Sequence, residues 1–457
     1  MFPSSWASRP TGEAPRTRNI LACIHVMQRL LLLPLLLLWN ASAQPSSPKL
    51  RAIRAARMLD VKTGQYVRNP VILIQGERIK SVESGGTVSD GVNVIDLGSA
   101  TLLPGLIDSH THLLENYSVF VGADEPNMLL TVGQMSTAKR ALLGVKMGRE
   151  DLEAGITTVR DLGNSGHNGD VALRDAINSG WVTGPRIVAS TRALAAAGGQ
   201  FGGLNPEAQK LIEEEYVVIA GVDEARRAVR QAFYDGADCI KVIVNTGPRV
   251  VSLDEMKVIV EEAHRVRKKV AAHAIGDLAT RIAADAGVDS VEHAYSIPDD
   301  ALKTMAEKGI FLVPTDPDVE QMDDLLKIGS HMNAEQIADF RNTRVAAAKA
   351  RIGRAIKAGV RIAAGSDMYY DNPTWGRGSA SLTVLESYWH GGMPALDVIR
   401  TATTNAADLL GMESRIGSIE PGKLADIIAV GGDPLVDIGE LRRVQFVMKS
   451  GQVIRKP

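Results

Sequence analysis

The sequence predicts an α/β chain: a (β/α)8 TIM-like barrel carrying a small β-sandwich domain built from its N- and C-terminal flanks. Three observations carry that expectation. Between residues 102 and 410, short apolar runs rich in β-branched residues alternate with amphipathic stretches. Ala-Gly pairs recur just ahead of such runs, at Ala154-Gly155, Ala286-Gly287 and Ala358-Gly359, as helix C-caps that return the chain to a sheet. The flanks, 44–101 and 411–457, alternate and turn like strands, yet neither is long enough for a core of its own. Two half-modules from opposite ends therefore pair.

The elements follow in order. Residues 1–43 read as a signal peptide: Arg29 precedes the apolar run Leu30–Trp39, and Ala41-Ser42-Ala43 supplies an A-x-A cleavage site. Met27 starts that pattern better than Met1, and cleavage is expected after Ala43 into a secreted or periplasmic space. The run is too short to span a bilayer, which takes about 20 apolar residues. Eight strand-like runs come next: Leu102–Asp108, Ile156–Leu162, Arg186–Thr191, Cys239–Val244, Lys269–Ile275, Ser290–Tyr295, Ile310–Thr315 and Val360–Asp367. Several are apolar throughout, as in parallel strands buried on both faces. Helices are expected over Asp223–Tyr234 and Leu253–Arg267, with Asp223 and Ser252 as N-caps. Gly198-Gly199 and Gly202-Gly203 lack the G-x-G-x-x-G spacing of a dinucleotide fold.

Composition narrows the function. The 457 residues are 45% apolar and 23% charged, which is globular. Net charge is −2, so no nucleic-acid partner is expected. Only Cys23 and Cys239 occur, which excludes a disulfide framework and a four-cysteine zinc module. No G-x-S-x-G elbow of a serine hydrolase is present.

The chemistry lies in the histidines. His110 and His112 end the first strand two residues apart, so both face the same way. His273, His293 and Asp367 end the fifth, sixth and eighth strands, and strand C-termini form the active-site end of such a barrel. Four imidazoles and a carboxylate suit zinc or a similar divalent ion. Lys241, in an apolar strand, would carry a large desolvation cost as an ammonium; carbamylation by carbon dioxide would make it an anionic bridge. A lysine reaching to the barrel mouth, and an N-capping role for Asp367, are the bland alternatives. Substrate contacts are expected of His167, Arg249 and Tyr295, against a solvated loop histidine, a solvated loop arginine and a packed tyrosine. Tyr369, Tyr370 and Trp375 crowd the loop after the eighth strand, which leans toward a ring-bearing or apolar substrate group.

Over roughly residues 50–457 the chain resembles the metal-dependent amidohydrolase superfamily. The resemblance rests on LPGLIDSHTH, on Ile240-Lys241-Val242, on AAHAIG, VEHAY and AAGSD, and on the phrase Gly417–Asp426. Thr158-Val-Arg-Asp161 and Lys269–His273 bring it nearest the branch of Xaa-Pro dipeptidases, related carboxypeptidases and ochratoxinases. It implies two divalent metals, probable zinc aside from other ions of similar chemistry being set by the same donors: His110 and His112 hold one, aided by Asp367, and His273 and His293 hold the other. Carboxylated Lys241 bridges them, and Asp367 moves the proton from the attacking water to the leaving amine. The implied substrate is an amide beside a free carboxylate: a dipeptide such as Xaa-Pro, an N-acyl amino acid or an ochratoxin-like amide. A homo-oligomer is expected. The rivals are a cyclic-amide or imidazolone hydrolase or deaminase on the same scaffold, and an inactive binding barrel. Ile275 departs from relatives that carry a polar or aromatic residue there, so side-chain preference does not carry over.

Overall fold

The computed structural model describes residues 50–116, 124–329, 332–370 and 375–457. The signal-peptide expectation for residues 1–43, with Cys23, lies outside them. The flanks do pair. One sheet of the sandwich holds Leu50–Arg54, Pro70–Gln75, Arg78–Ser84 and Asn93–Asp96. The other interleaves both ends of the chain: Gln452–Arg455, Val444–Lys449, Ile427–Val430, Thr101–Pro104, Arg57–Leu59 and Tyr66–Arg68, in that spatial order. Ile53, Ile72, Ile74, Leu102, Ile427, Phe446 and Met448 form the buried layer between the sheets.

The expected first barrel strand is two strands. Thr101–Pro104 belongs to the sandwich, pairing Pro104 with Ile427, and Leu106–Thr111 belongs to the barrel. Gly105 joins them, and its N–H donates to the Asp426 carbonyl at 2.9 Å. A Cβ there would stand 2.3 Å from Thr157 Oγ1, so only glycine fits. The boundary between the two domains thus falls at Gly105 rather than at 102. Both halves of LLPGLID are buried, so hydrophobicity alone carries no mark of the break.

Parallel strands Leu106–Thr111, Ile156–Asp161 and Arg186–Ala189 form one ladder. A second runs Tyr216–Val218, Ala193–Ala195, Cys239–Ile243, Lys269–Ala274, Ser290–His293 and Phe311–Val313. The run expected as one strand at Arg186–Thr191 is interrupted: Thr191 takes a φ of 61°, and the chain resumes as Ala193–Ala195 in the other ladder. The eighth run forms no regular strand. It makes the isolated bridges Leu312↔Ile362 and Thr111↔Met368, with Ser109 N–H donating to the Ala364 carbonyl at 2.8 Å. Those bonds carry the ring of strands from the last ladder back to the first.

The helices cover the ladders with apolar faces. Ser252 caps Leu253–Arg265 as expected, its hydroxyl accepting from Glu255 N–H. The helix expected from Asp223 starts one residue earlier, at Val222 behind Gly221, and Asp223 sits in its first turn. Gly287 and Gly359 end their helices in left-handed conformation, and Gly155 follows the Ala154 cap at a φ of 101°. Among the described residues no helix is long and apolar enough to cross a membrane.

Candidate metal centre

Six side chains from separate strand ends meet in a cavity of about 320 Å³. Asp367 stands among them: Oδ1 lies 3.4 Å from His110 Nε2 and 3.2 Å from His112 Nε2, and Oδ2 lies 3.7 Å from His293 Nδ1. Lys241 Nζ is 3.3 Å from His110 Nε2. The His273 ring packs 4.7 Å from that of His293, centroid to centroid. Ligating atoms of His110, His293 and Asp367 all fall within 4.8 Å of one another, a spacing one cation can bridge.

Partners behind the rings aim them. His110 Nδ1 lies 2.8 Å from Glu292 Oε2, and His112 Nδ1 lies 2.9 Å from the Gly163 carbonyl. Both partners accept, so each Nδ1 carries the proton and each Nε2 turns a lone pair to the cavity. Glu292 is fixed in turn by Arg160, whose Nη2 donates at 2.9 Å, and by the Ser290 hydroxyl. Arg160 also donates to the Ser109 carbonyl and to Ser290, tying three strands beneath the site. His293 Nδ1 meets Thr315 Oγ1 at 2.8 Å.

Electrostatics favour the ligating forms. Burial, and then the Lys241 charge, push His110 well below the ordinary histidine range and His273 to about 3. Burial and the neighbouring rings do the same to His293. His112 is the exception: burial opposes its charge, but the Asp367 hydrogen bond outweighs that and raises it. Burial lowers Lys241 to about 8, within reach of its neutral amine. Burial would raise Asp367, yet the surrounding His110, His112 and Lys241 charges hold it below the usual carboxylate range. Neutral imidazoles around an anionic oxygen and a reactive amine fit divalent metal.

Backbone geometry marks the same spot. His293, Ala294, Thr315 and Asp367 have φ of 65°, 48°, 59° and 51°, in the left-handed region. Each such residue costs of order 1–3 kcal/mol, a strain typical of functional sites. The Asp367 N–H donates to the His110 carbonyl at 2.7 Å, locking one ligand to another.

The three expected substrate contacts part company. Tyr295 lines the cavity beside His293, with Ile275 and Tyr369. His167 lies outside it, half-exposed and 3.7 Å from Glu214, as a surface histidine. Arg249 also lies outside: both its Nη atoms donate at 2.7 Å to the carbonyls of Ala197 and Phe201, fastening the glycine-rich loop. Its guanidinium is thereby spent on backbone, which corrects the carboxylate-clamp expectation. Tyr370 is buried, and Trp375 carries the Arg442 guanidinium at 4.9 Å. Sequence reading missed Glu292 and Arg160, although they stand inside VEHAY and TVRD. It also missed the liners Asn164 and Gln200, which no strand-end pattern marks.

A model of the amidohydrolase family matches residues 101–454. The chain belongs to the amidohydrolase family. The ochratoxinase of Aspergillus niger is 33% identical over 388 residues, 78% of this chain and 76% of that protein. Among solved structures, a prolidase complexed with N-methylphosphonate-L-proline superposes with a TM-score of 0.77 at 28% identity, covering 90% of this chain and all of that one. A Xaa-Pro dipeptidase with bound methionine gives 0.75 at 30% identity, covering 89% and 99%. This amidohydrolase is accordingly an α/β barrel enzyme of the ochratoxinase and prolidase branch, hydrolysing carbon–nitrogen bonds of amides in small substrates.

Proposed function

We propose that the enzyme is an exported binuclear metallohydrolase that cuts an amide bond next to a free carboxylate. The observation that carries this reading is the convergence of His110, His112, Lys241, His273, His293 and Asp367 on one cavity. His110, His112 and Asp367 would hold the first ion, and His273 and His293 the second. Lys241, carboxylated by carbon dioxide, would bridge them. Zinc suits the nitrogen-rich set. When bound, the ions supply Lewis-acid polarisation of the carbonyl and lower the pKa of water.

This chain's own groups do the rest. Glu292 and the Gly163 carbonyl keep the Nε2 lone pairs of His110 and His112 on the cavity side. Asp367, held anionic, accepts the proton of the attacking water and delivers it to the departing amine. Tyr295, Ile275 and Tyr369 shape the wall against which the substrate lies. The prolidase complexed with a proline phosphonate, the dipeptidase holding methionine and the ochratoxinase support dipeptides, N-acyl amino acids and ochratoxin-like amides as the substrate range.

The decisive experiment pairs metal analysis with a panel of dipeptides and N-acetyl amino acids. Two ions per chain and release of a free amino acid are expected. Less than about one ion per chain would favour an inactive binding barrel, and ring opening or ammonia would favour a cyclic-amide hydrolase or deaminase. On the exported protein, an N-terminus at Gln44 is expected; retention of residues 1–43 would remove the export reading.

A further inference from the structure

Arg344 is a guanidinium beside the catalytic cavity with nothing to bind. It projects from the long helix Ala334–Ala358 and lies over the Tyr295 ring, Cζ 4.4 Å from the centroid. Tyr295 is a wall of the cavity, and its ring packs 5.6 Å from that of His293. Arg351, two turns further along the helix, approaches the same ring at 5.2 Å. The acid beside this pair is Asp316, buried and bonded to Arg351. Among the described residues Arg344 makes no hydrogen bond or ion pair, and the buried Nε of Arg351 has no partner either. Two guanidiniums around one carboxylate leave an excess of positive charge and unused donors at the edge of a partly dry site, which favours an incoming anion.

We infer that Arg344 binds the α-carboxylate of the substrate, seated on Tyr295 and backed by the Arg351–Asp316 pair. The inference rests on the proposed reading of an amide beside a free carboxylate. Its scale fits: three backbone bonds separate the scissile carbon from the carboxylate carbon, about 4 Å in all. The Tyr295 ring bridges a comparable interval between His293 and Arg344. A planar guanidinium offers two parallel N–H donors to a carboxylate, and stacking on the ring holds that fork in place. Arg344 thus takes the task that sequence reading gave to Arg249, and it sets the substrate class: free acids are bound, while amides and esters are rejected.

The test compares each N-acetyl amino acid of the panel with its carboxamide, by acetate release, in metal-replete wild type, Arg344→Met and Arg344→Lys. Wild type should favour the free acid by about 10²-fold or more in kcat/KM, the usual scale for an unpaired charge partner. Arg344→Met should shrink that ratio to a few-fold, chiefly through KM, and Arg344→Lys should restore part of it. If Arg344→Met keeps the wild-type ratio, the guanidinium merely packs on Tyr295 and the inference fails, while the proposed function stands. If wild type does not discriminate, or turns over no member of the panel, both fail.

Discussion

Asp367 touches three of the four histidines of the site, and its two oxygens divide the work of holding and moving a proton. Asp367→Asn preserves the shape and one ligating oxygen but removes the basic one. Turnover should drop by about 10²-fold or more while metal content persists; steady-state rates beside metal analysis check this, and a near wild-type rate would remove the proton role. Lys241 gives a pH dependence. Only its neutral amine can add carbon dioxide, and burial sets its pKa at about 8, so the reactive fraction rises as pH climbs through that value. Reactivation of metal-stripped enzyme, at fixed dissolved carbon dioxide, should be about tenfold faster at pH 9 than at pH 7. A flat profile would count against an amine so perturbed. The histidines were legible because spacing by two and position at strand ends are local properties. Glu292 and Arg344 were not. One is a partner to a residue far off in the chain, and the other reaches the site from a helix whose periodicity says nothing of which arginine faces a tyrosine.

Strands deliver these groups, and what lies between the strands sets how well. Gly365 sits in the bridged segment before Asp367, where a Cβ would stand 2.4 Å from Val313 Cγ1 and 2.7 Å from His110 Cβ. Gly365→Ala must displace His110 or Val313. A stability loss of about 1–3 kcal/mol is expected from overpacking, together with weaker metal retention. Thermal unfolding and dialysis against chelator measure the two effects, and an unshifted midpoint with full metal retention would contradict the crowding. Element existence was readable from the apolar runs, but their interruptions were not. Thr191 breaks one strand and Gly105 another inside stretches that are buried on both sides of the break, so hydrophobic pattern cannot register the turn.

The whole molecule depends on chain ends meeting. Thr101–Pro104, flanked by Ile427–Val430 from the far end of the sequence, runs through Gly105 straight into the strand that bears His110. The Arg186–Asp426 ion pair, at 2.7 Å, ties a barrel strand to the same region. Truncation after Asp426 removes three strands of the six-stranded sheet and bares Leu102 and Ile72. The product should be insoluble or lack cooperative unfolding, as read by sedimentation and calorimetry. A soluble truncated barrel that still binds metal would show the sandwich to be dispensable. That partnership was legible as an inference of need, since each flank alternates like a sheet yet is too short to bury itself.

The left-handed turns at His293, Thr315 and Asp367 bear on how such an enzyme can diversify. Side chains rarely tolerate that backbone, so mutation at these tips is purged and new selectivity has to arise from their neighbours. Tyr295 and the outer helix are therefore the places where descendants of this catalyst can acquire different diets without dismantling the machinery beneath.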